Sequence, residues 1–332
     1  MNPRKNKKQS QIIVEELQNR SRKVLEFAKK TMLAEKIEYK KLREALEHYV
    51  RNWNDFTHLG LFSMACEAVD GDLDTAVPVQ AGMAMMAAAF DLHDDIIDKS
   101  EAKHGSPTVF GRFGKDITLL LGNAFLIEGF TLFEESITNL PARKMKQVLH
   151  VLKTSLFEIG NAHALELNLK KRTDAAPEEH MHVVEMKAAS IEADMQIGAI
   201  VGGGTGREVE ALARFGRIAG ILGTLREEFI DVFESEELNQ RFCSEYLPIP
   251  VLYAMQNIKL REKILKLFEN EKIASQNVEG LADMVFEAKD VRKLQQKMKE
   301  LAAESIQLAS CVRNVQMRKQ LSVLVSSALE DL

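Results

Sequence analysis

Residues 90–114, FDLHDDIIDKSEAKHGSPTVFGRFG, constrain this chain more than any other stretch. Asp91, Asp94, Asp95 and Asp98 fall at i, i+3, i+4 and i+7, so a helix brings all four to one face. Like charges at that spacing repel and contribute nothing to folding. The run AGMAMMAAAF leads straight into them and Ile96–Ile97 lies among them, so an apolar helix is expected to carry its acids into the protein. A multivalent cation resolves the repulsion, and hard carboxylate oxygens suit Mg²⁺ or Mn²⁺. The alternative reading is a solvated acidic patch.

The rest of the chain reads as helix. Apolar residues make up 45% of the 332, enough for a sizeable core, while 7 prolines and 18 glycines are few for a sheet-and-turn protein. No Asn-Gly or Asp-Gly pair separates two alternating apolar runs, so no hairpin is expected. Helical periodicity recurs between breaks near Asp70–Asp74, Gly105–Pro107, Asn139–Pro141, Thr173–Pro177, Gly202–Gly206 and Leu247–Pro250. The prediction is an all-α protein: a flexible basic tail over residues 1–10, then a single helical domain over 11–332 with its site inside the bundle. A net charge of −5 argues against a nucleic-acid surface. Cys66, Cys243 and Cys311 lie far apart, which suits a reduced, cytoplasmic protein. No run of about 20 uninterrupted apolar residues is present, so no transmembrane segment is expected.

A second acidic cluster lies in ILGTLREEFIDVFESEEL. Glu227 and Asp231 are i, i+4 and offer two carboxylates from one helical face, with Leu222, Leu225, Phe229 and Val232 as apolar surface around them. Alone, this pattern equally describes a solvated amphipathic face. Beside the first cluster it gains weight, because two carboxylate-bearing helices can hold a group of divalent ions, and such a group binds a diphosphate.

These motifs resemble those of the trans-isoprenyl diphosphate synthases, the polyprenyl synthase family of class I terpenoid enzymes. The family's first DDxxD motif stands intact as Asp94, Asp95 and Asp98, preceded by His93, and its LRRGxPT tail is matched by AKHGSPT at 102–108. Gly122–Asn123 matches a later Gly-Asp pair. MKAASIEADMQIGAIVGG at 186–203 places Lys187 in the family's lysine position, and LREEFID resembles the second DDxxD with Glu227, Glu228 and Asp231. The similarity runs from about Tyr39 to the end of the chain.

The resemblance implies one large bundle of that enzyme class, with a central apolar cavity and Mg²⁺ (Mn²⁺ as alternative) held by Asp94, Asp95, Asp98, Glu227 and Asp231. Asp94, Asp98 and Lys187 are the implied catalytic residues. Lys103, Lys187 and Arg226 would contact an allylic prenyl diphosphate, and Phe90, a turn before Asp94, would line its tail. Isopentenyl diphosphate is the implied second substrate. The family's dimer is expected through residues around Ile117–Phe130, as a homodimer or as a heterodimer with a complete synthase.

The departures cluster in one place. Where the family binds isopentenyl diphosphate with a GGKRLRP loop, this chain has WNDFTHL, with Asp55 at the lysine position and Phe56 and His58 at the arginine positions. A family histidine is Ala87, a family arginine is His104, the glutamine before the second motif is Thr224, and a late lysine is Tyr246. The expected second-substrate pocket is therefore poor in cations. Three functions follow: chain elongation by a prenyltransferase, a non-condensing or regulatory subunit of a heteromeric synthase, and a terpene-cyclase-like enzyme that ionises one substrate. Against the last, Ser235 stands where a ligating acid would follow, and aromatics are only 6% of the chain.

Overall fold

The computed structural model describes residues 9–103, 105–170, 172, 175–244, 246–269 and 272–330; most of the expected basic tail, and His104, lie outside these. The described residues are overwhelmingly helical, as expected. The N-terminal half contains α1 (Gln9–Ala34), α2 (Lys40–Asn52), α3 (Thr57–Ala68), α4 (Leu73–Asp98), α5 (Val109–Phe113), α6 (Lys115–Ile137) and α7 (Ala142–Leu169). There follow α8 (Pro177–Lys187), α9 (Ala189–Val201), α10 (Gly206–Asp231), α11 (Ser235–Ser244) and α12 (Ile249–Ala254). The last are α13 (Ile258–Leu267), α14 (Ser275–Glu287), α15 (Lys289–Ala309) and α16 (Val315–Ser327). Two antiparallel ribbons, β1 (Ala102–Lys103) with β2 (Ser106–Pro107) and β3 (Phe268–Glu269) with β4 (Lys272–Ile273), have two residues per strand and leave the class unchanged.

The chain divides into two compact units built from interleaved segments. One, the acidic-helix unit, comprises Val14–Leu149 and Asp194–Val209. The other, the C-terminal unit, comprises Met1–Ile13, His150–Ala193 and Glu210–Leu332.

In the acidic-helix unit the core forms around α4 and α6. Val77, Ala81, Ala84, Met85, Ala88 and Leu92 of α4 are buried with Leu121 and Phe125 of α6. Trp53, just after α2, meets the Phe125 ring edge-on with centroids 5.5 Å apart. The small residues of AGMAMMAAAF let the two helix backbones approach closely. A Cβ added at Gly82 would sit 2.7 Å from the Gly129 carbonyl oxygen, and one at Gly129 would sit 2.8 Å from that of Gly82. Both α4 and α6 are, by length and composition, apolar enough to cross a membrane, although neither is an uninterrupted apolar run; α4 is mostly buried, α6 less than half. Such helices are weak evidence for a span when one of them forms a protein core.

The end of α4 is set by local chemistry. Asp72 caps its start by accepting the Asp74 N–H at 3.0 Å. Lys99 adopts a left-handed conformation with φ of 56° and stops the helix. Gly105, with φ of 74°, supplies the turn of the first ribbon. Thr108 then accepts the Gly111 N–H at 2.9 Å and donates to the Ser100 carbonyl at 2.6 Å, pinning the ribbon to the end of α4.

In the C-terminal unit, α10 buries Leu222, Leu225 and Phe229. Glu330 accepts the backbone N–H groups of Gln9 and Ser10 at 3.1 and 3.0 Å, so a carboxylate satisfies the helix start at α1. Gln9 and Ser10, expected in the tail, are already helical.

The Gly82–Gly129 contact yields a stability prediction. Gly82→Ala forces two backbones apart and is expected to destabilise by about 1–3 kcal/mol. Gly160→Ala on α7, where an added Cβ meets nothing within 4 Å, should be neutral or slightly stabilising. Thermal melts followed by circular dichroism compare the two; equal effects would contradict the close-approach argument.

Candidate functional site

The acidic-helix unit carries the first cluster on the last two turns of α4. That position compounds the repulsion among the acids, because helix dipoles already make a C-terminus negative. The protein offsets part of it with Lys103 of β1, whose ammonium lies 2.8 Å from Asp91 Oδ1 and 2.8 Å from Asp95 Oδ1. Burial opposes that charge, but Asp91 and Asp95 outweigh it and hold the lysine above its ordinary pKa. Burial raises the Asp95 carboxyl, with Lys103 pulling it back. Tyr49 of α2 donates to Asp91 Oδ2 at 3.4 Å.

The acids are not all carried inside, as the sequence suggested. Asp95 is 3% exposed; Asp94 is half-buried, and Asp91 and Asp98 are exposed. Phe90 is half-buried. His93 explains Gly122: an added Cβ there would lie 2.5 Å from His93 Nε2.

The WNDFTHL segment makes a different centre in the same unit. Asp55 Oδ1 accepts the His58 N–H at 3.2 Å, and the His58 ring Nδ1 lies 2.5 Å from Asp194 Oδ2. Burial lowers the His58 pKa, yet Asp194 and Asp55 outweigh it and lift it to about 9. Burial raises the Asp194 carboxyl against the pull of His58. His58 is therefore cationic at neutral pH, and its charge is met by Asp194 with Asp55 beside it.

The C-terminal unit carries the second cluster at the end of α10. Arg241 of α11 engages three carboxylates: Nη1 to Glu228 Oε1 at 2.9 Å, Nη2 to Asp231 Oδ2 at 2.5 Å and Nε to Glu237 Oε1 at 2.9 Å. The other oxygen of Glu228 accepts the Ile249 N–H at 2.8 Å. Glu227 is exposed, and Arg226 is half-buried with an Nε that has no hydrogen-bond partner among the described residues. Burial lifts Asp231 to about 6 despite Arg241. Lys187, at the end of α8, donates to Glu166 Oε2 at 2.5 Å, and Tyr246 donates to Glu166 Oε1 at 3.1 Å. The centroid of the Tyr246 ring is 5.9 Å from the Arg241 guanidinium carbon and 4.4 Å from that of the buried His180 ring.

Sequence reasoning thus placed Asp94, Asp95, Asp98 and Lys103 at one helix end, and Arg226, Glu227 and Asp231 at another. It missed Arg241, Glu166 and Asp194. The Glu237–Arg241 pair at i, i+4 was a legible signal; Glu166 and Asp194 pair through tertiary contacts and left none.

Among the described residues no three acid, histidine or cysteine groups converge as on a metal ion. The first cluster nonetheless fits Mg²⁺, which is commonly held by one or two carboxylates with its remaining shell from water and substrate phosphates. Asp94 and Asp98, one turn apart, offer that donor set. The second cluster does not fit in the same way: Glu228 has both oxygens engaged by protein donors and Asp231 holds a guanidinium.

Comparison with known proteins agrees with these motifs. Residues 39–285 match the family described as Polyprenyl synthetase. A short chain isoprenyl diphosphate synthase of Methanothermobacter thermautotrophicus is 28% identical over 248 residues, 72% of this chain and 75% of that protein. A chloroplastic heterodimeric geranylgeranyl pyrophosphate synthase large subunit 1 of Arabidopsis thaliana is 28% identical over 59% of this chain and 56% of its own length. The crystal structure of geranylgeranyl pyrophosphate synthetase from Pyrococcus horikoshii has the same fold, with a TM-score of 0.83 at 20% identity over 97% of this chain and 99% of that one.

The His58–Asp194 pair gives a pH prediction. The folded pKa of His58, about 9, lies above the unfolded value of about 6.5. Its stabilisation is complete below about 6.5 and is lost as pH rises through the folded pKa. The melting temperature should fall between neutrality and about pH 9, with a smaller fall in His58→Gln. An identical pH slope in that variant would contradict the pairing.

Proposed function

The chain belongs to the polyprenyl synthetase family, and from that membership we propose that it is a prenyltransferase of isoprenoid biosynthesis. It binds an allylic prenyl diphosphate, breaks its C–O bond to release diphosphate, and joins the allyl group to the double bond of isopentenyl diphosphate, which then loses a proton to give the longer allylic diphosphate. The observation that carries this reading is the intact Asp94-Asp95-x-x-Asp98 motif at the end of α4, with Lys103 folded back onto it.

Asp94 and Asp98 would hold Mg²⁺ or Mn²⁺. Bound there, the ion would draw off the negative charge that gathers on the diphosphate as its C–O bond breaks, which lowers the barrier because that charge is largest in the transition state. Asp91 and Asp95 keep the Lys103 ammonium oriented at the same helix end, where it supports the same anion. Lys187 and Arg226 serve the substrate diphosphate; Lys187 first exchanges Glu166 for a phosphate oxygen, and Arg226 brings a buried Nε without a partner among the described residues. Phe90 offers an aromatic surface to the apolar tail.

The second substrate is bound weakly. Asp55 and Phe56 replace two cationic positions, and the charge of His58 is already met by Asp194. Each missing charge-assisted bond costs roughly 1.5–3 kcal/mol, so three losses weaken isopentenyl diphosphate by about three to six powers of ten. Work in the cytoplasm is proposed too, on the three free cysteines.

Pairing through α6 belongs to the same proposal. Leu119, Leu120, Ile127 and Phe130 are 43%, 54%, 68% and 48% exposed, a large apolar area for one helix. The partner is a second copy of this chain or a complete synthase, the latter supported by the relative named as a heterodimeric subunit. A monomer at micromolar concentration by light scattering, alone and with such a synthase, would contradict it.

Calorimetry with an allylic diphosphate tests the metal reading. Asp94→Ala is expected to weaken Mg²⁺-dependent binding by about one to two powers of ten. Unchanged affinity would remove the proposal's centre.

A further inference from the structure

The second acidic cluster is the place where the sequence pattern and the structure disagree. The pattern offers Glu227, Glu228 and Asp231 to divalent ions. The structure seats the guanidinium of Arg241 among Glu228, Asp231 and Glu237, using all three of its nitrogens. The arrangement is built into the fold. Arg241 has a side chain 13% exposed, Glu228 5% and Asp231 18%. The turn at Val232–Glu234 brings α11 back along the end of α10, and the Tyr246 ring lies 5.9 Å from the guanidinium carbon. Tyr246 is itself tied to Glu166, which also holds Lys187.

We propose that Arg241 is a resident cation that takes the place of a divalent ion at the second acidic cluster, so that metal binding in this protein rests on the first cluster. Three physical points support it. A planar guanidinium with five donors matches several carboxylates at once, as a compact ammonium does not. Mg²⁺ needs a near-octahedral oxygen shell and loses water reluctantly, while Glu228 has no oxygen free of a protein donor. A divalent ion on Asp231 would also face the Arg241 charge across a half-buried cluster, where repulsion is poorly screened. Moving Arg241 aside would leave Glu228 and Asp231 without their partner in a buried setting, which is strongly unfavourable.

The inference does not depend on the chain turning over a prenyl diphosphate. It concerns which cation sits at one carboxylate cluster, and its test needs no catalysis. Melts are recorded with and without Mn²⁺ alone for the native chain, Arg241→Gln and Asp231→Asn. Bound Mn²⁺ is then counted by electron paramagnetic resonance in the presence of inorganic pyrophosphate.

Arg241→Gln is expected to melt several degrees lower without metal and to be raised selectively by Mn²⁺, as the emptied cluster accepts it. With pyrophosphate it gains one ion per chain over the native protein. Asp231→Asn retains the native count and affinity, while Asp98→Asn lowers them. Loss of an ion in Asp231→Asn, or an Arg241→Gln variant insensitive to Mn²⁺, overturns the proposal. If Arg241→Gln does not fold, the Asp231→Asn comparison decides alone. If the native protein binds no Mn²⁺–pyrophosphate, the functional reading fails, and the Arg241→Gln melts in Mn²⁺ alone still decide this one.

Discussion

Each unit of this protein gathers carboxylates at the negative end of a long helix and then must offset them. At the end of α4 four aspartates lie within two turns, and Lys103 returns from the first ribbon to two of them. At the end of α10 the acids meet Arg241 of the next helix. The elements that make these returns possible are short and specific: the left-handed Lys99 and Gly105 in one unit, the Val232–Glu234 turn in the other. Around them, apolar helices supply the stability needed to hold like charges together. The two ends differ in the cation that answers them. Lys103 offsets one of four charges at the first cluster, whereas Arg241 spans three carboxylates at the second. At the second, both oxygens of Glu228 are engaged by protein donors and Asp231 holds the guanidinium.

The helices were legible because their signals are local. The Asp72 cap, the Gly-Pro and Asn-Leu-Pro breaks, and the apolar run into Asp91 are read within a few residues of where they act. The first ribbon escaped because its turn residue is a single glycine with positive φ, without the paired signals that mark a hairpin. The second cluster was legible as an acidic face but not as an occupied one, since Arg241 reaches Glu228 and Asp231 across 13 and 10 residues and a turn. His58 and Asp194 are 136 residues apart, and only folding reveals that the one cation left in the WNDFTHL segment already has its counter-ion. Burial among the acids of α4 differs residue by residue, with Asp95 buried and Asp91 and Asp98 exposed, which an i, i+3, i+4, i+7 pattern does not resolve.

The same charges shape substrate preference. On the proposed function, an allylic diphosphate would meet Asp94, Asp98 and Lys103 with a divalent ion. Isopentenyl diphosphate would meet Asp55, Phe56 and a histidine paired with Asp194, and so would gain few charge-assisted bonds. On that reading the chain would keep the ionising half of the family's chemistry and give up much of the binding half. A complete partner subunit would be one way to restore it.

Product analysis of the purified chain tests this account most directly. The protein is incubated with allylic diphosphates of several lengths, with and without isopentenyl diphosphate and Mg²⁺. Released diphosphate and prenyl products are then measured. The account predicts Mg²⁺-dependent consumption of the allylic diphosphate, and a product one five-carbon unit longer that forms only at isopentenyl diphosphate concentrations far above micromolar. Failure to consume any allylic diphosphate with Mg²⁺, or robust elongation at micromolar isopentenyl diphosphate, would contradict it.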